Sequence, residues 1–204
     1  MKRRGIILLA VLIAVVGAYF LFFHKSEGKQ EEKQKALTVT KNSGNFNTAF
    51  NEMLGAYDSL HDAFVNWDSA AATEKAGRLQ ALLTDFPVTE VKGDSSLILT
   101  AKTFTETAAA EAQAINSANS LEEKRRSFYT LSENIYNLAR TVRYDGSVLY
   151  QVNCPMAFND DEEASWLSRN NEVVNPYLGS KHPKYKNGML NCGEVKDSID
   201  FRGK

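Results

Sequence analysis

The sequence predicts a mainly α-helical protein: an antiparallel four-helix bundle with a C-terminal tail of short strands and irregular loops, preceded by one transmembrane helix. Three features predict this. An uncharged run lies near the N-terminus, four stretches with helical spacing of apolar residues follow, and about the last sixty residues are rich in Asn, Asp, Gly and Pro. With 204 residues and 43% hydrophobic content, the chain has room for one domain with a proper core.

The first 23 residues predict a membrane anchor. Residues 1–4 are basic, and residues 5–23 contain no charge, a length that nearly spans a hydrocarbon core of about 30 Å. The basic end favours a cytoplasmic N-terminus. We therefore expect a single-pass inner-membrane protein with its soluble domain in the periplasm. A cleaved signal peptide and secretion to the periplasm are the alternative, because Val16-Gly17-Ala18 resembles a processing site.

Residues 24–44 predict a flexible tether, because they contain almost nothing to bury. Residues 45–144 then predict the bundle. The first helix begins near Asn45 and ends at Trp67-Asp68-Ser69, and Ser69 is the expected N-cap of the second, which stops before Pro87. The apolar stripe of the first helix consists of Phe46, Phe50, Met53, Leu54, Tyr57, Leu60, His61 and Phe64.

The third helix is predicted from about Asp94 to Asn116, and its alanine-rich stretch suits close contact between helices. Ser120 with Glu123 forms a capping-box pattern that opens the fourth helix, which ends before Asp145. Short connections between four amphipathic helices favour an antiparallel bundle.

Residues 145–204 predict a tail that belongs to the same domain. Val148 to Val152 favour a strand, and the segments after them favour ordered loops laid against the bundle. Both cysteines of the chain, Cys154 and Cys192, lie in this tail. Two cysteines in one part of the chain can build only one local site, and they cannot cross-link the whole domain.

Several segments resemble a bacterial periplasmic domain of unknown function. In the tail they are Leu149-Tyr150, Cys154-Pro155-Met156-Ala157, Trp166-Leu167-Ser168, Asn175 to Gly179 and Met189 to Val195. In the helical part they are Tyr57, Leu60, Ala63-Phe64-Val65, Asp68, Arg126, Phe128 and Leu131-Ser132. That domain occurs alone behind a signal or anchor, and also appended to adaptor (membrane-fusion) proteins of heavy-metal efflux pumps. The resemblance covers about residues 45–200 and implies metal-related work, although Ser180 to Gly188 is longer than it leads us to expect.

The residue types in the tail point to a soft metal independently of that resemblance. Cys154 and Met156 form Cys-x-Met, and Met189 and Cys192 form Met-x-x-Cys. Thiolate and thioether sulfurs together select Cu(I) over hard cations. His182 lies close by in sequence and offers a borderline nitrogen ligand. We therefore predict a metal site of Cys154, Met156, Met189, Cys192 and His182 that takes copper for sensing, buffering or delivery to efflux components.

A second interpretation needs no metal. In an oxidising compartment the two cysteines would form a disulfide that closes a loop of about 37 residues and adds on the order of 3–4 kcal/mol. The chain would then be a structural or interaction protein of the cell envelope. A net charge of -1 argues against a nucleic-acid partner. We expect no enzyme, because motifs such as Gly-x-Ser-x-Gly and His-Glu-x-x-His are missing from the sequence.

Overall fold

The computed structural model describes residues 42–203. They form four α-helices and three β-strands: α1 (Gly44–Val65), α2 (Ser69–Thr84), α3 (Ser95–Ser117), α4 (Leu121–Thr141), β1 (Leu149–Phe158), β2 (Glu162–Ser168) and β3 (Glu194–Ile199). The protein is thus mainly α with a strand-containing tail, as the sequence predicts. The basic end at 1–4, the anchor at 5–23 and nearly all of the tether at 24–44 lie outside the described residues. Among residues 42–203, no helix is long and apolar enough to cross a membrane.

Helix α1 follows its predicted apolar stripe closely. Ser43 caps it by accepting a hydrogen bond from the backbone N–H of Phe46 at 3.0 Å. The helix buries one face completely, because residues three and four apart lie on the same side. Its end is set by Trp67, whose φ of 60° is left-handed and turns the chain away from the helical path.

The start of α2 corrects one expectation. Ser69 was expected to be the N-cap, but it is the first helical residue and Asp68 is the cap. Asp68 is extended and accepts from the N–H of Ala71 at 2.9 Å. The left-handed turn at Trp67 places Asp68, one residue earlier than expected, where a cap must lie. The helix ends at Thr84, and Phe86, just before Pro87, packs edge-on against Phe46.

The observed ends of helices α3 and α4 differ from the predicted ends by one to a few residues. Asp94 caps α3 by accepting from the N–H of Leu97 at 2.9 Å. The capping box of α4 is confirmed: Ser120 accepts from the N–H of Glu123, and the Glu123 carboxylate accepts from the N–H of Ser120, both at 3.1 Å. Consecutive helices pack against one another and form the bundle.

The tail forms an antiparallel three-stranded sheet in the order β2-β1-β3, so β1 is central. A tight turn joins β1 to β2, with φ of 52° at Asn159 and 67° at Asp160. Asn and Asp tolerate this left-handed conformation better than most residues, and it matches the twist of a hairpin. The turn lets β2 fold back onto β1 over a register that includes Cys154 opposite Ala164.

One buried hydroxyl group ties the sheet to the bundle. The phenol of Tyr57 on α1 accepts from the N–H of Leu167 on β2 at 2.9 Å and shares a 2.7 Å hydrogen bond with Ser132 on α4. Phe128 of α4 stacks on Tyr57 with ring centroids 5.1 Å apart. Both aromatic side chains are fully buried, which contributes on the order of 2 kcal/mol each. Burial raises the pKa of Tyr57, so the phenol stays neutral.

Candidate sulfur site

Cys154 and Cys192 meet although they lie 38 positions apart in sequence, and their sulfur atoms are 2.8 Å apart. Cys154 is fully buried, and Cys192 is half-buried. The pair therefore has one sulfur inside the core and one that solvent can approach. A disulfide bond is about 2.05 Å long, so only a small movement would be needed if an oxidant of the compartment took up two electrons and the two thiol protons were lost.

Cys154 owes its position to the central strand. It pairs with Ala164 of β2, and the register of that pairing shifts between Cys154 and Phe158. Such an irregularity lets a strand redirect side chains where a site is built. On the other side, Asn153 pairs with Glu194 of β3, which brings the residues just before β3 next to Cys154.

Cys192 lies in a tight turn held by a buried asparagine. Its N–H donates to the carbonyl of Met189 at 3.0 Å. Asn175, which is fully buried, donates from its side-chain amide to the carbonyl of Cys192 at 2.8 Å. Its backbone N–H donates to the carbonyl of Leu190 at 2.7 Å. Asn175 therefore fixes the turn from both ends.

Glycine at position 193 is a requirement of this geometry. Gly193 has a φ of 141°, in a region that L-residues with a side chain rarely adopt. A Cβ there would lie 2.9 Å from the Trp166 ring and 3.0 Å from the carbonyl oxygen of Asn153. The chain can pass this close to β1 only without a side chain, and that approach delivers the Cys192 sulfur to Cys154.

The environment of the pair favours thiols over thiolates. Burial, followed by the hydrogen bond with Cys154, raises the pKa of Cys192 to about 12. A thiolate is the form that binds metals and attacks disulfides. Any ion that binds here must therefore displace a proton, and binding will depend on pH.

The two predicted thioether ligands lie on the same two segments as the cysteines. Met156 is on β1, two residues after Cys154, and Met189 opens the turn that ends in Cys192. Both are partly buried against the hydrophobic core. The structure shows direct contact between the two cysteines, and the part of the two methionines in a site stays a prediction.

His182 has different neighbours. Its ring stacks on Tyr185 with centroids 4.9 Å apart and meets Trp67 edge-on at 5.4 Å. Its Nδ1 accepts from the backbone N–H groups of Lys184 and Tyr185, both at 3.2 Å. Burial and the nearby charge of Arg125 lower the pKa of His182, so the ring is neutral at pH 7. His182 lines a cavity whose lining includes neither cysteine.

No group of three or more His, Cys, Asp and Glu side chains is placed to hold a metal ion within the part of the chain that the structure describes. A copper site here would depend on the two cysteines and on methionine sulfur. The predicted five-residue set therefore stays a prediction, with the cysteine pair as its observed centre.

Arg125 is a buried residue that the sequence analysis did not single out. It is only 4% exposed, and it lies three residues before Phe128 on the inner face of α4. Helical spacing alone places position 125 on the same face as Phe128. The sequence did contain a signal for Arg125: it is a charged residue at a position where the apolar stripe of α4 would be expected to carry an apolar one.

The comparisons with known proteins concern the helical part. A family model described as "Protein of unknown function (DUF3347)" matches residues 53–145, so a DUF3347 domain is found there. The matched span runs from within α1 to just after α4, and it ends before Cys154. No curated protein and no solved structure matches this chain.

Proposed function

We propose that this chain is a membrane-anchored binding protein of the periplasm that takes a soft metal ion, copper as Cu(I), at the Cys154–Cys192 pair. Its role would be sensing, buffering or delivery of copper to heavy-metal efflux components, without catalysis. The observation that carries the proposal is the meeting of two cysteine sulfurs from distant segments, each with a methionine nearby in sequence.

Metal binding requires a modest rearrangement of the pair. Metal–thiolate bonds are about 2.3 Å long, so two sulfurs on one ion lie about 3.8 Å apart at a tetrahedral angle and about 4.6 Å apart in linear coordination. The observed sulfur separation of 2.8 Å must therefore increase. The side chain of Cys192 has more room to rotate, because Cys192 is half-buried while Cys154 is fully buried in the central strand; the backbone of the turn stays held by Asn175.

Cu(I) competition tests the proposal on the reduced full-length chain, held in detergent. The wild type is titrated against a Cu(I) chelator, alongside a Cys154→Ser, Cys192→Ser double variant. We expect the double variant to lose at least about a hundredfold in affinity, because loss of a residue that only supports a metal ligand already costs about 10–100-fold. Equal affinity of the two proteins would refute a copper site at this pair.

The thioether contribution needs separate variants. Met156→Leu and Met189→Leu keep nearly the same volume and remove the sulfur. Met53→Leu is the matched control, because Met53 is fully buried in α1. We expect weaker Cu(I) binding in the two tail variants and wild-type binding in the control. His182→Ala tests in the same way whether the predicted nitrogen ligand takes part.

A second candidate function has its own support. The sulfur contact of 2.8 Å also suits a disulfide, in which the two sulfurs would lie about 2.05 Å apart. In this case the bond would join β1 to the turn before β3, and the protein would act as a structural or interaction module of the envelope.

Mass spectrometry of untreated protein separates the two functions. Protein purified from its native compartment would be alkylated without reduction. A mass two hydrogens below the dithiol, with no alkylation, supports the disulfide. Two alkylated cysteines would exclude it and leave both sulfurs available for copper.

A further inference from the structure

An open cavity lies where the end of α1, the start of α4 and the tail loop come together. Its volume is about 520 Å³, within the roughly 300–1,000 Å³ typical of small-molecule pockets. Its lining includes Trp67, Arg125, Phe158, Tyr177, His182 and Pro183. Aromatic rings thus surround the cavity, and one cationic group from the bundle reaches it.

Arg125 is held rigidly by its surroundings. Its Nε donates to the carbonyl of Pro176 at 3.0 Å, and its Nη2 donates to the carbonyl of Phe64 at 2.9 Å. The guanidinium lies 4.0 Å from the centroid of the Trp67 ring. None of the hydrogen bonds within residues 42–203 uses Nη1. One edge of a planar, five-donor group is therefore preorganised and available.

The charge of Arg125 has no anionic partner among residues 42–203. Burial lowers the pKa of Arg125 to about 9, which still leaves it charged at neutral pH, and no carboxylate in the described part of the chain contributes to that shift. A buried cation without an anion is costly, and charged groups inside proteins are normally paired.

The two carboxylates that line the same cavity already have cationic partners. Glu122 pairs with Arg126 at 3.1 Å. Asp160 pairs with Lys184 and accepts from the hydroxyl of Tyr185 at 2.7 Å. Neither group forms an ion pair with Arg125 within residues 42–203, although Arg126 is shared between Glu122 and Glu162, at 2.9 Å from the latter.

We propose that this cavity binds a small organic carboxylate with an aromatic or apolar body, whose negative charge pairs with Arg125. A guanidinium edge matches a carboxylate geometrically, and a low-dielectric surrounding strengthens the pair. The rings of Trp67, Phe158 and Tyr177 provide an apolar wall for the rest of such a molecule. The site is independent of the sulfur pair.

The test compares two probes of the same shape on the full-length wild-type chain in detergent. Phenylacetate carries the charge, and phenylacetamide lacks it. Binding is followed by the NMR signal of the Trp67 indole N–H, which donates to the carbonyl of Leu178 at 2.8 Å at the cavity wall. The chain has one other tryptophan, Trp166, which is 1% exposed and is not part of the cavity lining. Its indole signal is the internal reference.

We expect a saturable shift of the Trp67 signal with phenylacetate and at least tenfold weaker binding of phenylacetamide, which corresponds to about 1.4 kcal/mol. Equal binding of the two probes would overturn the proposal. So would the absence of a saturable shift with phenylacetate up to about 10 mM, beyond the weak millimolar range.

Two variants extend the comparison. Arg125→Met removes the charge and keeps the length of the side chain, and we expect it to abolish the preference for phenylacetate over phenylacetamide. Arg140→Met, the same change in the last turn of α4 at a residue outside the cavity lining, is the matched control and should retain the preference. An unchanged preference in a folded Arg125→Met protein would overturn the proposal. If Arg125→Met fails to fold, the comparison of the two probes on the wild type still tests the proposal.

Discussion

Replacing Tyr57 with phenylalanine tests how the sheet that holds the sulfur pair is attached to the bundle. The change keeps the ring and its stacking on Phe128 but removes the hydroxyl. The N–H of Leu167, which donates to that hydroxyl at 2.9 Å, then lies buried without an acceptor. Ser132 loses less, because it still donates to the carbonyl of Phe128 at 2.7 Å.

The expected loss of stability comes mainly from the N–H of Leu167, which loses its acceptor. A buried donor left without a partner destabilises a protein by about 1–3 kcal/mol. For a domain of this size, each kcal/mol lowers the melting temperature by roughly 2–4 °C. We therefore expect Tyr57→Phe to melt about 2–12 °C below the wild type when unfolding of the full-length chain is followed by near-ultraviolet circular dichroism.

Two measurements make the test specific. Hydrogen exchange at the amide of Leu167 should become faster in Tyr57→Phe, because that amide loses its acceptor. Tyr129→Phe is the matched control. Tyr129 lies half-buried on α4, and removing its hydroxyl should change the free energy of unfolding by no more than about 0.5 kcal/mol. A Tyr57→Phe protein as stable as the control, with unchanged exchange at Leu167, would refute this account of the attachment.

Three further predictions concern the site and the ends of the helices. Cu(I) affinity should rise at least about tenfold for each pH unit between pH 6 and 9, because Cys192, with a pKa of about 12, must lose a proton on binding; competition titrations that show no pH dependence would contradict this. Gly193→Ala should destabilise the fold by about 2 kcal/mol or more in thermal melts, whereas Gly44→Ala, where a Cβ meets nothing within 4 Å, should not. Asp68→Ala should cost about 1 kcal/mol and Ser69→Ala much less, and the reverse order in denaturant titrations would restore Ser69 as the cap.

Agreement between sequence and structure is closest in the helices. The stripe from Phe46 to Phe64 and the capping box at Ser120 depend on residues three and four apart, so their effect is local. The N-cap of α2 was displaced by one residue because the left-handed turn at Trp67 has no strong sequence signal: tryptophan is not a residue that favours that conformation. Backbone propensities therefore cannot predict a left-handed conformation at this tryptophan.

The candidate site was only partly accessible to this reasoning. The Cys-x-Met and Met-x-x-Cys patterns identify the right segments, because each is short and contiguous. The role of Asn175 as the anchor of the Cys192 turn was not visible, since the carbonyls of Leu190 and Cys192 that it binds lie 15 and 17 residues further along the chain. The grouping of His182 with the cysteines rested on nearness in sequence, and the structure gives His182 the rings of Trp67 and Tyr185 as neighbours.

The sequence by itself determined the four helices, the β-prone tail and the concentration of cysteine and methionine in that tail, because these follow from spacing and composition within short segments. The tertiary structure alone decided that Cys154 and Cys192 touch, that β1 is the central strand, and that Arg125 is buried beside a cavity with no carboxylate partner among residues 42–203. Each of these depends on contacts between segments far apart in the chain. Such contacts form only when the whole core packs, and no local pattern encodes which distant partner each residue meets.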